Sequence, residues 1–211
     1  MEGTVKTSMA ERLDPKTTAL IVFDMQKGQI NVDDPQRQKW LKDSNIVANC
    51  VALVQTARQA SVPIFYVKNN RRPDGSDQPD VITDQGMRQA AAAGRAGGGA
   101  PVAGAQEIID DLKPAPGDFV VDKIRMGAFS STMLDTLLRA RRVENVIICG
   151  VRTTVGVATT VRDGRDLGYN MVLASNATGG VPPEDHQWML EKIFPMFGRV
   201  RTVEQIQEML G

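Results

Sequence analysis

Short apolar runs rich in β-branched residues recur along the chain and alternate with segments whose apolar positions repeat at a helical spacing. Runs that are apolar almost without interruption are typical of buried parallel strands, because both faces of such strands are covered. The runs predict strands at Ala19–Phe23, Ile64–Val67, Phe119–Val121, Val146–Cys149 and Met171–Ala174, with a weaker one around Val200. This alternation predicts an α/β fold of three layers (α/β/α), Rossmann-like, with a central parallel sheet of about six strands.

Two intervening segments carry an apolar stripe at helical spacing, which should pack on the sheet. The stripes consist of Ile46, Val47, Cys50, Val51 and Val54, and of Met133, Leu134, Leu137 and Leu138. A third helix should begin at Pro182-Pro183 and end near Pro195, since proline fits a first helical turn but interrupts an interior. Its apolar residues are Trp188, Met189 and Ile193. Residues 202–205 predict a capping box for a last helix.

The stretch 69–104 lacks this regularity and has few residues that could anchor a core. It contains charged and turn-forming residues at 71–75, alanines at 90–93 and glycines at 97–99. One interpretation is a solvated excursion from the fold. The other is a flap over a functional site, because long loops in compact domains often cover sites.

The composition narrows the possible classes of protein. The chain has 211 residues, 42% hydrophobic and 24% charged, which suits a single domain over residues 1–211. Its 25 basic and 25 acidic residues leave no excess charge for a nucleic acid. No apolar run approaches the roughly 20 residues of a membrane span, and the first residues lack a signal-peptide core, so a cytoplasmic location is expected. Both cysteines lie in apolar segments, which is typical of a reducing compartment without disulfides.

Three predicted strands end in residues that could carry chemistry. Ligands of open parallel sheets bind beyond the carboxyl ends of the strands, where Asp24 follows the first strand and Lys123 ends the third. The fourth leads into Gly150–Gly156, although a glycine within a helix costs about 0.5–1 kcal/mol relative to alanine. Singly, these residues could cap a turn, reach solvent or relieve packing. Together, at the mouths of different strands, they favour a shared site.

The order and local contexts of these segments resemble the isochorismatase-like hydrolase superfamily, also called the cysteine hydrolases. The segments are Asp24-Met25-Gln26, 123–132, 150–155 and 158–163 leading to Gly168-Tyr169. The resemblance covers nearly the whole chain and implies an isochorismatase-like fold. It also implies an Asp–Lys–Cys site, in which a thiol attacks an amide carbonyl, the aspartate handles the proton and the lysine stabilises the ionised partners.

The chain departs from this pattern at the position of the cysteine, where it has Gly156. Cys149 lies within a predicted strand and Cys50 on a helix face, so both are expected in the core. A helix N-terminus without a side chain at 156 still offers N–H donors and leaves room beside Asp24 for water or substrate. The isochorismatase branch resembles this chain: it has glycine there and cleaves a vinyl ether that an aspartate equivalent to Asp24 protonates. Whether Gly156 is native or replaces a cysteine stays open.

The resemblance implies roles for further residues. Val151 and Arg152 fall where the family commonly has a cis peptide bond that lines the oxyanion pocket, and Arg152 could hold a substrate carboxylate or make an exterior ion pair. Gln26 is expected to orient the aspartate or a water, and Arg125 to position the active-site loop. Phe129 could form apolar pocket wall or core.

No metal or other cofactor is expected. Nicotinamidases of the superfamily carry a metal site with an aspartate and paired histidines after the second strand, where this chain has Asn69 and Asn70. The one histidine, His186, is expected to be structural or capping. By resemblance we also expect a homo-oligomer, a dimer or tetramer. Its contacts could involve Phe194, Met196 and Phe197, unless these close the subunit's own core.

The sequence thus predicts a metal-independent hydrolase of a small organic substrate, with an isochorismate-like vinyl ether as the specific hypothesis. Asp24 would be the general acid/base, Lys123 its charge partner, and backbone donors around Arg152 and Gly156 would hold negative charge. The lysine should lower the pKa of the aspartate and burial should raise it, without a ranking from sequence. The alternatives are an amidase whose nucleophile has been replaced by Gly156, and a non-catalytic small-molecule-binding relative.

Overall fold

The computed structural model of the chain describes residues 11–31, 34–72, 74–77, 81–88 and 104–211. Among them, six strands form one parallel sheet in the order β3-β2-β1-β4-β5-β6. The strands are β1 (Thr18–Phe23), β2 (Ile64–Asn69), β3 (Phe119–Lys123), β4 (Asn145–Val151), β5 (Asn170–Gly179) and β6 (Gly198–Arg201). Each predicted strand lies within an observed one, so the predicted α/β fold with a six-stranded parallel sheet is confirmed.

Helices cover both faces of this sheet. They are α1 (Lys27–Ile30), α2 (Pro35–Ser44), α3 (Ile46–Gln59), α4 (Leu134–Ala140), α5 (Ala158–Asp166), α6 (Pro183–Trp188) and α7 (Val203–Leu210). Wider π-helical turns, Thr153–Val157 and Met189–Ile193, precede α5 and follow α6. None of the helices in the described ranges is long and apolar enough to cross a membrane.

The core consists of two apolar clusters, one on each face of the sheet. Alternate residues of a strand point to opposite faces, so Leu20 belongs to one cluster and Ile21 to the other. Helices α3 and α7 pack in the first cluster, and α4 and α5 in the second. Cys50 and Cys149 are fully buried in the first, as predicted.

The predicted helices form with small differences. The capping box at the start of α7 is present: the Thr202 hydroxyl accepts from the backbone N–H of Gln205, and the Gln205 side-chain oxygen accepts from the backbone N–H of Thr202. Met133 and Trp188, however, are exposed rather than part of the buried stripes. Met133 precedes the first turn of α4. Trp188 ends α6, and the buried residue is Met189, the first of the π-helical turn.

The apolar residues near the C-terminus divide between core and surface. Phe194 is buried in the second cluster, and the ring of Phe197 packs against that cluster beneath the guanidinium of Arg162. For Phe194, closure of the subunit's own core is therefore the correct alternative. Met196 alone of the three is largely exposed.

The strand order places a ligand crevice at the centre of the sheet. The chain runs outward from β1 through β2 to β3, and then returns to the other side of β1 with β4. In open α/β sheets this reversal leaves a crevice at the carboxyl ends of the two central strands. The segments that follow β1 and β4 lie at this crevice, with the ends of β2 and β3 beside them.

Candidate active site

The carboxyl ends of β1, β2 and β3 bring three polar side chains into mutual contact. The ammonium of Lys123 lies 3.0 Å from Oδ2 of Asp24, and the amide nitrogen of Asn69 donates to the same oxygen over 3.0 Å. Lys123 also donates to Oδ1 of Asn69 over 3.1 Å. Since β2 lies between β1 and β3, Asn69 bridges the two charged residues that the sequence analysis selected.

Lys123 is fully committed to protein partners. Besides Asp24 and Asn69, its ammonium donates to the carbonyl oxygen of Arg125 over 3.2 Å. An ammonium has three donors, so these three contacts satisfy it. Its side chain is 2% exposed. Lys123 therefore acts on the aspartate and the local backbone.

Asp24 has one oxygen left for chemistry. Its Oδ1 is buried and has no hydrogen-bond partner in the described part of the chain. Burial raises the pKa of Asp24 from 3.8 to about 6, against the opposing charge of Lys123 and the hydrogen bonds from Lys123 and Asn69. The structure thus ranks the two effects left open by the sequence, and burial is the larger. A carboxyl with this pKa can both donate and accept a proton near neutral pH.

A cavity of about 330 Å³ lies over this cluster. Its lining includes Asp24, Gln29, Asn69, Arg71, Thr83, Gln85, Gly86, Lys123, Met126, Val151, Arg152, Val155 and Gly156. Residues 83, 85 and 86 belong to the irregular stretch 69–104, so its described part borders the site, as the flap interpretation requires. The alanines at 90–93 and the glycines at 97–99 lie outside the described residues.

The rim of the cavity is positively charged. Arg152 is exposed, and its guanidinium makes no hydrogen bond or ion pair with the described residues. Arg71 also lines the cavity, and its charge contributes to lowering the pKa of Asp24 and of Lys123. Against the single carboxylate of Asp24, three cations leave a net positive field that favours an anionic ligand.

The turn after β4 forms the opposite wall. The Val151–Arg152 peptide bond is cis, as the resemblance implied. The amides of Val155 and Val157 donate to the Arg152 carbonyl over 3.2 and 3.3 Å, so these two donors are used within the turn. His186 holds the turn from outside, with Nδ1 2.8 Å from the hydroxyl of Thr153.

Gly156 lies where a side chain would have no room. A Cβ built on it would be 2.6 Å from Cζ of Phe23, closer still to Cε1 of the same ring, and 2.9 Å from the carbonyl oxygen of Met126. The glycine is buried. Tight packing, rather than space kept for water, is therefore the reason for glycine at this position.

Three residues predicted to bind substrate lie outside the cavity lining. The side chain of Gln26 does not hydrogen-bond Asp24; it donates to the backbone carbonyls of Asn69 and Gln106 and accepts from the backbone N–H of Asn69. Its function is to fix the end of β2. The guanidinium of Arg125 donates to the Asp77 carbonyl over 2.9 Å, which anchors the irregular stretch.

Phe129 is the third. Its ring stacks on that of Tyr169 at a centroid distance of 5.8 Å, beside α5. The cavity lining includes Met126 but not Phe129, which packs against the second apolar cluster and is not part of the pocket wall.

Sequence reasoning missed Asn69 and Phe23. From the sequence, Asn69 stands only where related nicotinamidases have a metal ligand, whereas in the sheet it ends the strand next to β1. The rule that selected Asp24 and Lys123 would have selected it, had β2 been extended by two residues. Phe23 has no sequence signal beyond its place before Asp24. No group of three or more His, Cys, Asp or Glu side chains suited to a metal occurs in the described ranges.

Comparisons with known proteins agree with this architecture. The family described as "Isochorismatase domain" matches residues 18–205. The uncharacterized isochorismatase family protein YwoC of Bacillus subtilis (strain 168) is 31% identical over 196 residues, which cover 93% of this chain and 95% of that protein. The ureidoacrylate amidohydrolase RutB of Pseudomonas syringae pv. syringae (strain B728a) is 30% identical over 204 residues, covering 92% and 83%.

A solved structure gives the same result for the fold. An isochorismatase family protein from Burkholderia thailandensis superposes with a TM-score of 0.77 at 28% identity. The superposition covers 94% of this chain and 97% of the other. The match therefore extends over the sheet and the segments that carry the site.

Proposed function

The chain belongs to the isochorismatase family of hydrolases, and from this premise we propose that it hydrolyses a small anionic vinyl ether by acid–base catalysis without a covalent intermediate. The observation that carries the proposal is the buried, unpaired Oδ1 of Asp24, whose pKa of about 6 lies near neutral pH. No thiol lies at the cavity, because both cysteines are fully buried in the core.

In the proposed reaction, Asp24 in its acid form gives its proton to the terminal carbon of the vinyl group. The adjacent ether carbon becomes an oxocarbenium ion, and water adds to it. Asp24, now ionised, takes the proton released by that water. The resulting hemiketal separates into an alcohol and a keto acid. The sum is one ether and one water consumed, with Asp24 returned to its starting state.

Lys123 supports the ionised half of this cycle. When Asp24 loses its proton, the carboxylate keeps the ammonium at 3.0 Å and the Asn69 amide as partners. These contacts hold its pKa at about 6 rather than at the higher value that burial alone would cause. The acid is thus strong enough to protonate carbon and remains partly protonated at neutral pH.

Arg152 is proposed to hold a substrate carboxylate. It lines the same cavity as Asp24, is exposed, and has no hydrogen-bonded partner among the described side chains. A guanidinium binds a carboxylate through two parallel hydrogen bonds, which would orient the vinyl group toward Oδ1 of Asp24. Remaining amide groups of the turn 153–157 would hold developing negative charge.

The test is release of pyruvate from isochorismate by the purified protein and by Asp24→Asn. We expect turnover by the parent and a loss of roughly 10²-fold or more in the variant, since general acid catalysis contributes this much. Asp122→Asn is the matched control, because Asp122 precedes Lys123 in β3 but pairs with Lys68 at the surface. If the parent releases no pyruvate, isochorismate is not the substrate.

Amide hydrolysis is the second candidate, favoured by the relative named as a ureidoacrylate amidohydrolase. The geometry at Gly156 opposes it here, since a cysteine side chain at 156 would overlap Phe23. Ammonia release from a panel of small amides and ureido acids tests it in the same assay series.

Thermal stabilisation by a ligand without any turnover would instead favour a binding protein. The cytoplasmic location, the single domain and the homo-oligomer stay predictions.

A further inference from the structure

We infer that Phe23 determines the reaction class of this site: its ring excludes a nucleophilic side chain from position 156 and leaves water as the nucleophile. This inference rests on the proposed function, because it explains why the reaction would proceed without a covalent intermediate. It assigns a role to a residue that is not on the cavity lining.

The first observation is the overlap between the ring and any side chain at position 156. The distance of 2.6 Å from a built Cβ to Cζ of Phe23 is one that real Cβ atoms essentially never show. A cysteine would add a sulfur beyond that Cβ, in the volume that the ring already fills. Gly156 and Phe23 therefore form a complementary pair in which the ring replaces a side chain.

The second observation is that the ring has little freedom to move aside. Phe23 is 0% exposed and belongs to the cluster between the sheet and α5. Its backbone is fixed on both sides, since it pairs with Val67 of β2 and with Gly150 of β4. A Cβ at Gly150 would itself overlap the Phe23 carbonyl, so strands β1 and β4 approach closely at this point.

The third observation connects the ring to the catalytic pair. The ammonium of Lys123 lies over the face of the Phe23 ring, 4.7 Å from its centroid. A ring face attracts a cation and at the same time excludes water from that side. The ring thus lies against both Lys123 and Gly156.

The consequence is a restriction on substrates. Vinyl ethers and related acid-labile ethers suit this site, because protonation alone makes them electrophilic enough for water to add. Amides would have to be hydrolysed here without a thiolate, by water that Asp24 activates. Phe23 would therefore favour acid-labile substrates, because its ring excludes a thiolate nucleophile from position 156.

The experiment is a double-variant cycle of Phe23→Val, Gly156→Cys and the combination of both. In the parent background, Gly156→Cys should lower the thermal midpoint by at least about 5 °C, because overpacking a core is destabilising. In the Phe23→Val background, the same change should lower it less, since the sulfur fills the space that the ring leaves while the 2.9 Å contact of the Cβ with the Met126 carbonyl oxygen remains. Phe23→Leu provides a milder second background if the valine variant folds poorly.

The rate of thiol alkylation by iodoacetamide is a second measurement, and it would not change if Phe23 had only a structural role. Only the combined variant should react quickly at neutral pH, because its thiol would lie beside Lys123, and a neighbouring cation favours the thiolate. Cys50 and Cys149 are fully buried and should give a low background. Gly180→Cys is the matched control, since a Cβ there would meet its nearest neighbour, in Arg152, at an ordinary 3.5 Å.

The outcomes separate this inference from the proposed function. If Gly156→Cys is equally tolerated with and without the ring, or its thiol reacts equally in both backgrounds, Phe23 does not exclude a nucleophile and the inference fails. That result can occur whether or not the parent releases pyruvate. Conversely, a strong coupling between the two positions in a protein that does not act on isochorismate would leave the inference intact and refute only the substrate.

Discussion

Replacing Asn69 by leucine tests how the ionisation of Asp24 is controlled. The Asn69 amide donates to Oδ2 of Asp24 over 3.0 Å and so stabilises the charged carboxylate. Leucine has a similar volume and no donor. Since the variant lacks the donor that stabilises the charged carboxylate, the neutral form becomes more populated and the pKa of Asp24 should rise.

The size of this effect follows from the contacts. A hydrogen bond to a charged group contributes about 1.5–3 kcal/mol, and the lower end applies because the same oxygen keeps Lys123 as a partner. At about 1.36 kcal/mol per pH unit, the loss corresponds to a tenfold change in the ionisation equilibrium. The pKa of Asp24 should therefore rise from about 6 by at most about one unit, because the Asn69 hydrogen bond is the smallest of the effects that lower it.

Two assays measure the change. Carbon-detected NMR titration of the aspartate carboxyl groups reports Asp24 directly and needs no substrate. The pH profile of kcat/KM for pyruvate release reports it through the reaction: protonated Asp24 is the active form, so the rate should fall above its pKa, and in the variant this fall should occur at higher pH. The position of the fall is the readout, because lost orientation can lower the rate at every pH.

Asn70→Leu is the control for this change. Asn70 is the next residue, is exposed, and donates to Asp122 at the surface over 2.6 Å rather than to Asp24. The reasoning is refuted if Asp24 titrates at the same pH in the parent and in Asn69→Leu. It is equally refuted if Asn70→Leu moves the titration as far.

Three further predictions concern stability and binding. The native pKa of Asp24 lies above its ordinary 3.8, so Asp24 contributes about 3 kcal/mol to stability below pH 3.8, at 1.36 kcal/mol per pH unit. This contribution is lost as pH rises through about 6. In urea unfolding, Asp24→Asn should lack this loss and Lys123→Met should enlarge it. Gly150→Ala should lower the free energy of unfolding in urea by about 3 kcal/mol or more, or prevent folding, because φ is +115° and the Cβ would overlap the neighbouring strand. Gly117→Ala, with φ +97° in open space, should lower the same free energy by about 1–2 kcal/mol. Arg152→Gln should raise KM for anionic substrates with kcat nearly unchanged and leave uncharged substrates unaffected; an unchanged KM would exclude Arg152 from carboxylate binding.

Much of the fold could be predicted because its signals are local. Each strand is a short apolar run bounded by polar residues, and the stripe of α3 repeats at a helical spacing. Asp24 and Lys123 could be selected because parallel strands place their carboxyl ends at one edge. The exposed Trp188 shows the limit: the predicted helix continues from Met189 as a π-helical turn, whereas an interpretation by periodicity assumes a regular helix.

The sequence alone determined the strands, the main helices, the α/β class, the polar strand ends and the glycine at position 156, since each depends on the identities of neighbouring residues in the chain. The tertiary structure decided the rest. It inserted β2 between β1 and β3, which makes Asn69 the bridge between Asp24 and Lys123, and it placed the Phe23 ring against Gly156. The balance between burial and the lysine charge also depends on distances across strands that are far apart in sequence, and only the packed sheet brings them together.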